Sequence, residues 1–324
     1  MTSLTRRAAA GVLLAAAALG GALAQGTKYP EKPITFIVPF AAGSATDQLA
    51  RALGQSITEA TKQAVLVDNK AGASGMLAAQ AAARAAPDGH TVLITTNTTH
   101  AANEHLYKKL PYDPVKDFAP VSGLGKGGQV LVVAADSPHK SVADLLAFAK
   151  KNPGKLAFGS GSSSSRVAGE LFQQMAGVEL LHVPYKSNPL AITDLLGGQI
   201  AMMITDTSTG VPQIKGGKLR ALGVSTSKRL PMLPDVPTID EAGVKGYDMG
   251  YWFAAYVPAQ TPPSVVQRLH ELLAAGLKTP QAKAFFDTSG GEPFPTTPEQ
   301  LAKFQLDETQ KWGRVIKKAG IEPE

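Results

Sequence analysis

Apolar and polar residues alternate in blocks along the chain. Short apolar runs recur at residues 34–40, 65–67, 91–96, 129–135, 156–158, 180–185, 199–205, 219–225 and 251–257. Most are bounded by Gly, Pro, Ser or Asn, the pattern of buried strands. Helical patterns fill intervening segments at 47–60, 76–85, 142–151, from the serine run Ser162–Ser165 to 175, and 190–196. Two amphipathic helices follow the last strand. Val265, Val266, Leu269, Leu272, Leu273 and Gly276 line one face of the first. Leu301, Phe304, Trp312, Val315, Ile316 and Ala319 fit the second at i, i+3/i+4 spacing. Strands alternating with helices predict the α/β class with mostly parallel sheets.

The order of elements predicts two lobes. The chain leaves one α/β unit near residue 127, builds a second, and returns near 249. The first lobe is then discontinuous, 27–127 plus 249–324, and the second is 128–248. Two crossing strands would form a hinge, with the site in the cleft between the lobes. The length agrees: 324 residues, 44% of them hydrophobic, exceed what one core usually holds.

The first 24 residues read as an address. Thr5-Arg6-Arg7 is a positive start, residues 8–19 are apolar without a charge, and Ala22-Leu23-Ala24 fits a small-x-small cleavage site. This predicts a secretory signal peptide cut near Ala24 and a periplasmic product. A membrane anchor is the alternative, but no basic stop signal follows. Cleavage removes two arginines and no acid, so the formal net charge falls from +6 to +4. That scattered balance, with 6% aromatic residues, argues against a nucleic-acid partner. The absence of cysteine excludes disulfides, thiolate nucleophiles and zinc–thiolate or iron–sulfur sites.

Catalytic motifs fail on context. Gly123-Leu124-Gly125-Lys126-Gly127-Gly128 spells GxGxxG, but a strand follows it where a helix is required, so it reads as a turn. No phosphate-binding P-loop or HExxH zinc motif occurs, and His100 and His105 do not share a helix face, so no cofactor or metal is expected. Ser160 sits directly between two glycines and does not make a nucleophile elbow. A triad built from distant segments stays open, so an exported α/β hydrolase with a pocket serine is the alternative reading.

Small-residue loops stand at the strand ends instead. Gly43-Ser44-Ala45-Thr46, Gly72-Ala73-Ser74-Gly75 and Ser162–Ser165 each precede a helical pattern, and Asn97-Thr98-Thr99 ends another strand. Helix starts present free N–H groups and a partial positive charge, which suit a carboxylate or phosphate. Plain N-capping explains any one loop. Several at strand ends, where α/β sheets bind ligands, point to a site. Arg166 can clamp a carboxylate there or remain a surface arginine. Asp47 suits a helix cap. Asp206 could cap a helix, polarise a water or receive an ammonium group.

Longer stretches then become recognisable. Val38-Pro39-Phe40-Ala41-Ala42-Gly43-Ser44-Ala45-Thr46-Asp47, Asp68-Asn69-Lys70-Ala71-Gly72-Ala73-Ser74-Gly75 and Pro87-Asp88-Gly89 resemble the tripartite tricarboxylate transporter substrate-binding proteins, also called the Bordetella uptake gene family. So do Thr99-His100-Ala101, the segment 110–118, Ala168-Gly169-Glu170-Leu171-Phe172, His182-Val183-Pro184-Tyr185-Lys186 and Leu233-Pro234-Asp235-Val236-Pro237-Thr238. The resemblance runs in order over nearly the whole chain after the address.

It implies a two-lobed periplasmic binding protein, a monomer without catalysis, closing on a small organic carboxylate. The expected ligand is a dicarboxylate, aliphatic or aromatic. Delivery would be to large and small membrane permease subunits, or presentation to the ectodomain of a sensor kinase. Ligand contacts are implied from Phe40, Ala42, Gly43, Ser44, Ala45, Thr46 and Asp47 in the first loop, and from Thr98, Thr99 and His100. The second lobe would add Ser160, Ser163, Ser164, Ser165, Arg166, Tyr185 and Asp206. The chain departs from the family pattern at Ser44 for a usual Gly, at a serine loop two residues shorter, at Arg166 for a common His, and at Ser187 for Gly, with Pro189 displaced by one. Ligand identity therefore does not carry over from relatives, and Arg166 is expected to hold a distal carboxylate.

Overall fold

The first sheet grows from three parallel strands, β1 (Ile34–Val38), β2 (Val65–Asn69) and β3 (Thr91–Thr96), in the order β2-β1-β3. The computed structural model describes residues 29–324, so the predicted signal peptide lies outside the described residues. Helix α1 (Ala45–Thr61) and α2 (Met76–Ala83) connect these strands. Ser44 starts α1 by accepting a hydrogen bond from the Asp47 N–H, and Leu49, Leu53 and Ile57 bury one face at helical spacing. After β3 the chain makes a π-helical turn, Thr98–Ala102, and the short α3, Asn103–Leu106.

Strand β4 (Phe118–Ala134) then runs through both sheets. Its first half, to Gly128, pairs antiparallel with β9 (Gly250–Pro258), which itself pairs with β3. Its second half, from Gln129, pairs antiparallel with β7 (Met202–Asp206) and β8 (Leu219–Val224). Beside β7 lie β5 (Ala157–Ser160) and β6 (Leu181–Pro184), both parallel to it. Four helices serve this second sheet: α4 (Val142–Lys151), α5 (Ser163–Ala176), α6 (Asn188–Leu196) and α7 (Thr207–Lys215). The chain ends its course on the first sheet with α8 (Pro263–Gly276), α9 (Pro280–Ser289), the short β10 (Glu292–Pro293) and α10 (Pro298–Lys318). This is the two-lobed α/β architecture expected, with parallel pairings among β1–β3 and among β5–β7 and antiparallel ones through β4 and β9.

The glycine-rich segment Gly123–Gly128 is no turn; it lies inside β4. Its glycines are there for close approach. A Cβ at Gly123 would stand 2.5 Å from the Phe294 carbonyl oxygen, one at Gly125 would stand 2.7 Å from the Phe286 ring, and one at Gly127 would stand 2.7 Å from the Tyr251 hydroxyl. Ser225 pins the place where the strands cross. Its Oγ accepts from the Gln129 N–H at 2.7 Å and donates to the Met249 carbonyl at 2.6 Å. Its backbone closes both sides again, donating to the Gln129 carbonyl and accepting from the Met249 N–H.

Three helices escaped the apolar pattern: the four-residue α3, and the longer α7 and α9. In α7, Gly210 and Pro212 interrupt the helical periodicity. Helix α9 starts on Pro280 under a Thr279 cap and buries Phe285 and Phe286 side by side. One core cluster fills the space around α1, α8 and α9, and another sits under β7 and α6. A third continues from Leu106 and Tyr112 to Phe172 and Tyr247 and so joins the two lobes. Among the described residues, no helix is long and apolar enough to cross a membrane.

Candidate functional site

Four helix starts meet at one cleft between the lobes. Ser44, Ala45 and Thr46 open α1, Ser162 and Ser164 open α5, Asn188 opens α6, and Asp206 caps α7. Phe40, Thr96, Tyr251 and Phe253 complete the wall around about 350 Å³ of open space, mouth included. At each of α1, α5 and α7 the third N–H of the helix is taken by its cap: Ser44 Oγ, Ser162 Oγ and Asp206 Oδ1. Among the described residues, the first two N–H groups, on Ala45 and Thr46, Ser163 and Ser164, and Thr207 and Ser208, donate to no protein acceptor. Ala45, Thr46 and Ser164 themselves line the cleft. Helix dipoles add positive potential at the same place, which favours an anion.

Asn188 holds the second-lobe wall together. Its Oδ1 accepts from the Gly161 N–H at 2.9 Å and from Ser165 Oγ at 3.1 Å, and its Nδ2 donates to Asp206 Oδ2 at 2.6 Å. One side chain thus ties the starts of α5, α6 and α7. The packing is tight enough that a Cβ on Gly161 would lie 1.9 Å from the Ser187 carbonyl carbon and 2.0 Å from the Asn188 nitrogen. Asp206 also accepts from Ser208 Oγ at 2.6 Å and from the Thr209 N–H and hydroxyl. Its carboxylate is therefore spent on capping and alignment while one edge faces the cleft.

The sequence-predicted residues divide into three groups. Phe40, Ser44, Ala45, Thr46, Ser164 and Asp206 line the cleft. Ser160, Ser163, Arg166 and Tyr185, with Phe40 again, line an adjoining outer pocket of about 950 Å³ on the same open-space measure. The rest line neither. Ala42 and Gly43 are exposed at the surface of the loop. Asp47 is buried, accepting from the Gly43 N–H, Asn69 Nδ2 and Arg51. Burial pushes its carboxyl up, but those donors outweigh it and hold it below the usual carboxylate range. Ser165 is a buried member of the α5 capping box.

Thr98, Thr99 and His100 lie behind the wall. His100 is wholly buried, its ring stacked at 3.9 Å on Tyr256, and its Nδ1 is 2.8 Å from Thr99 Oγ1. Burial drives its pKa down to about 3, so the ring is neutral. Six cleft residues were missed: Thr96, Gly161, Ser162, Asn188, Tyr251 and Phe253. Asn188 carried a signal, since Ser187-Asn188-Pro189 is another small-residue helix start after a strand.

The outer pocket has its own chemistry. Ser160 Oγ is 2.7 Å from His182 Nε2. Burial first, and the Arg166 charge next, lower the His182 pKa to about 4. Arg166 Nη1 pairs with Glu324 Oε1 at 2.5 Å, while its buried Nε–H has no acceptor among the described residues. Among the described residues, no cluster of three or more metal-binding side chains occurs.

Comparison with known proteins adds a family. The Tripartite tricarboxylate transporter family receptor pattern matches residues 49–321. The structure of the periplasmic binding protein BugD aligns over 91% of this chain and all of its own, with 35% identity and a TM-score of 0.87. Rpa4515 of R. palustris with adipate gives 36% identity and 0.88, over 91% of this chain and all of its own. MatC of Rhodopseudomonas palustris with bound malate gives 30% identity and 0.84, over 89% of this chain and all of its own.

Proposed function

We propose that this chain, which belongs to the tripartite tricarboxylate transporter receptor family, is a periplasmic receptor that closes its two lobes on a small organic carboxylate. The lobes are residues 27–127 plus 249–324, of which the structure describes 29 onward, and residues 128–248, hinged where β4 and the chain leading into β9 pass between them. The observation that carries the reading is the meeting of helix starts with unpaired N–H groups at one cleft. A carboxylate seated there takes N–H donors from both lobes, so the ligand bridges them and favours the closed form. Phe40, Tyr251 and Phe253 offer apolar surface to its carbon skeleton. Relatives with adipate and malate support the ligand class. Arg166, in the pocket next to the cleft, would hold a second carboxylate and favour dicarboxylates. Release would be to the membrane subunits of a tripartite transporter.

The Ser160–His182 pair gives the hydrolase alternative a specific geometry. The chemistry beside it is wrong for acyl transfer. The N–H groups next to Ser160, on Gly161 and Ser162, are already committed to Asn188 Oδ1 and Ser165 Oγ. No carboxylate among the described residues hydrogen-bonds His182, so the pair lacks the third member that would orient the ring as a base. We read the pair as part of the pocket wall. A thermal-shift panel of carboxylic acids, with their neutral amides as controls, tests the function. A true ligand at 100 times its Kd adds about 2.7 kcal/mol of stability. A panel in which no acid raises the melting temperature, or in which amides do as well, overturns the reading.

A further inference from the structure

Arg166 and Glu324 belong to different lobes. Arg166 is in the first turn of α5, beside the second sheet. Glu324 follows α10 and is strapped to the first lobe, where its N–H donates to the Leu106 carbonyl and its carbonyl accepts from the Lys108 N–H. Their side chains meet in the outer pocket, which shares Phe40, Gly161 and Ser162 with the cleft. A carboxylate therefore already sits on Arg166, which faces the outer end of the site.

The pair is weakly held. The Glu324 side chain is 57% exposed and that of Arg166 is 21% exposed. Ion pairs with so exposed a partner contribute only about 0–1 kcal/mol. Glu324 engages the guanidinium through Nη1 alone. A free carboxylate placed end-on could take Nη1 and Nη2 together and gain the bidentate geometry that Glu324 does not reach.

We propose that Glu324 is a displaceable stand-in for the distal carboxylate of a dicarboxylate ligand, and that competition between the two for Arg166 sets the preference between mono- and dicarboxylic acids. The inference rests on the carboxylate-receptor reading above. A dicarboxylate anchored at the helix starts must expel the Glu324 side chain before its far end reaches Arg166. A monocarboxylate leaves the pair intact. Glu324 thus lowers dicarboxylate affinity by the strength of its own pairing and keeps Arg166 from standing as an unpaired charge when the site is empty.

Calorimetric titration of adipate, suberate and hexanoate into wild type, Glu324→Ala, Glu324→Gln, Arg166→Gln and the Arg166→Gln/Glu324→Ala double variant tests this. Glu324 is exposed enough that its replacement leaves folding intact. Glu324→Ala is expected to tighten the dicarboxylates by up to about fivefold and to leave hexanoate unchanged. Arg166→Gln should weaken the dicarboxylates selectively, and in that background Glu324→Ala should have no further effect. Equal changes for mono- and diacids, or weaker dicarboxylate binding in Glu324→Ala, would make Glu324 a latch between lobes and overturn the proposal. So would hexanoate binding with dicarboxylates still excluded from Glu324→Ala. If wild type binds none of the three and no other acid of the thermal-shift panel, it is the receptor reading that has failed. If another acid of that panel binds while these do not, the receptor reading stands and this inference falls.

Discussion

Asn188 is the residue on which the second-lobe wall depends. Its truncation in Asn188→Ala strips Asp206 Oδ2 of its donor and leaves the Gly161 N–H with Ser165 Oγ alone. An orphaned buried group costs about 1–3 kcal/mol, so the melting temperature should fall in calorimetry. Ligand affinity should fall with it, because three helix starts lose their alignment. Gly161→Ala meets backbone atoms, not a yielding side chain, and should fail to bind any acid even where circular dichroism shows a folded protein. The buried His100 and the half-buried His182 make stability fall in acid. Their folded pKa values, about 4 for His182 and about 3 for His100, lie below the ordinary 6.5. Below that ordinary value the unfolded chain binds protons that the folded chain refuses. Stability is thus complete above about pH 6.5 and is lost as pH falls towards 4 and 3. Urea midpoints between about pH 7 and pH 4 should decline, with a shallower slope in His182→Gln; an unchanged slope would mean His182 does not contribute. At this scale the sequence showed the small-residue loops, because Gly and Ser at strand ends are visible in one dimension. It did not show that Thr98 to His100 point away from the cleft, since a π-helical turn is set by packing against Tyr256 and Phe118.

The strand–helix alternation was legible because β1, β3 and β7 are near-continuous apolar runs between turn residues. The N-terminal half of β4 was not legible. Its glycines look like loop punctuation, and only the side chains packed over them, Phe286, Phe294 and Tyr251, explain why a strand must lack Cβ atoms there. Helix α7 was hidden for the opposite reason: Pro212 and Gly210 argue against a helix locally, and the Asp206 cap with burial of Val211 overrides them. The hinge makes an element-scale prediction. Ser225→Ala removes the side-chain links to both crossing strands and leaves the buried Gln129 N–H without its acceptor. A loss of about 1–3 kcal/mol is expected in equilibrium unfolding, whereas a change within error would mean that the backbone bonds of Ser225 alone hold the crossing.

Across the whole molecule, the strands form one path whose two halves are hydrogen-bonded through β4, and the site lies where the halves face each other. Sequence order suggested that plan, because the chain departs after one α/β unit and later returns to it. What order alone did not convey is the number of contacts crossing between lobes: Ser163 Oγ to Asn103 Oδ1 at 2.9 Å, Thr207 Oγ1 to Tyr251 Oη at 3.3 Å, and Arg166 to Glu324. These link residues 60, 44 and 158 positions apart and have no local signature. The first two define a closed arrangement that a bound carboxylate would reinforce, and the third gives way when a diacid reaches Arg166. The central claim is that the ligand's carboxylate is held by helix-start N–H groups of both lobes. A crystal structure of the protein with the acid that stabilises it most tests this directly. The account predicts carboxylate oxygens within about 3.2 Å of the N–H groups of Ala45 or Thr46 on one side and of Ser163 or Ser164 on the other. An acid bound elsewhere, or held only by side chains of the outer pocket, would contradict it.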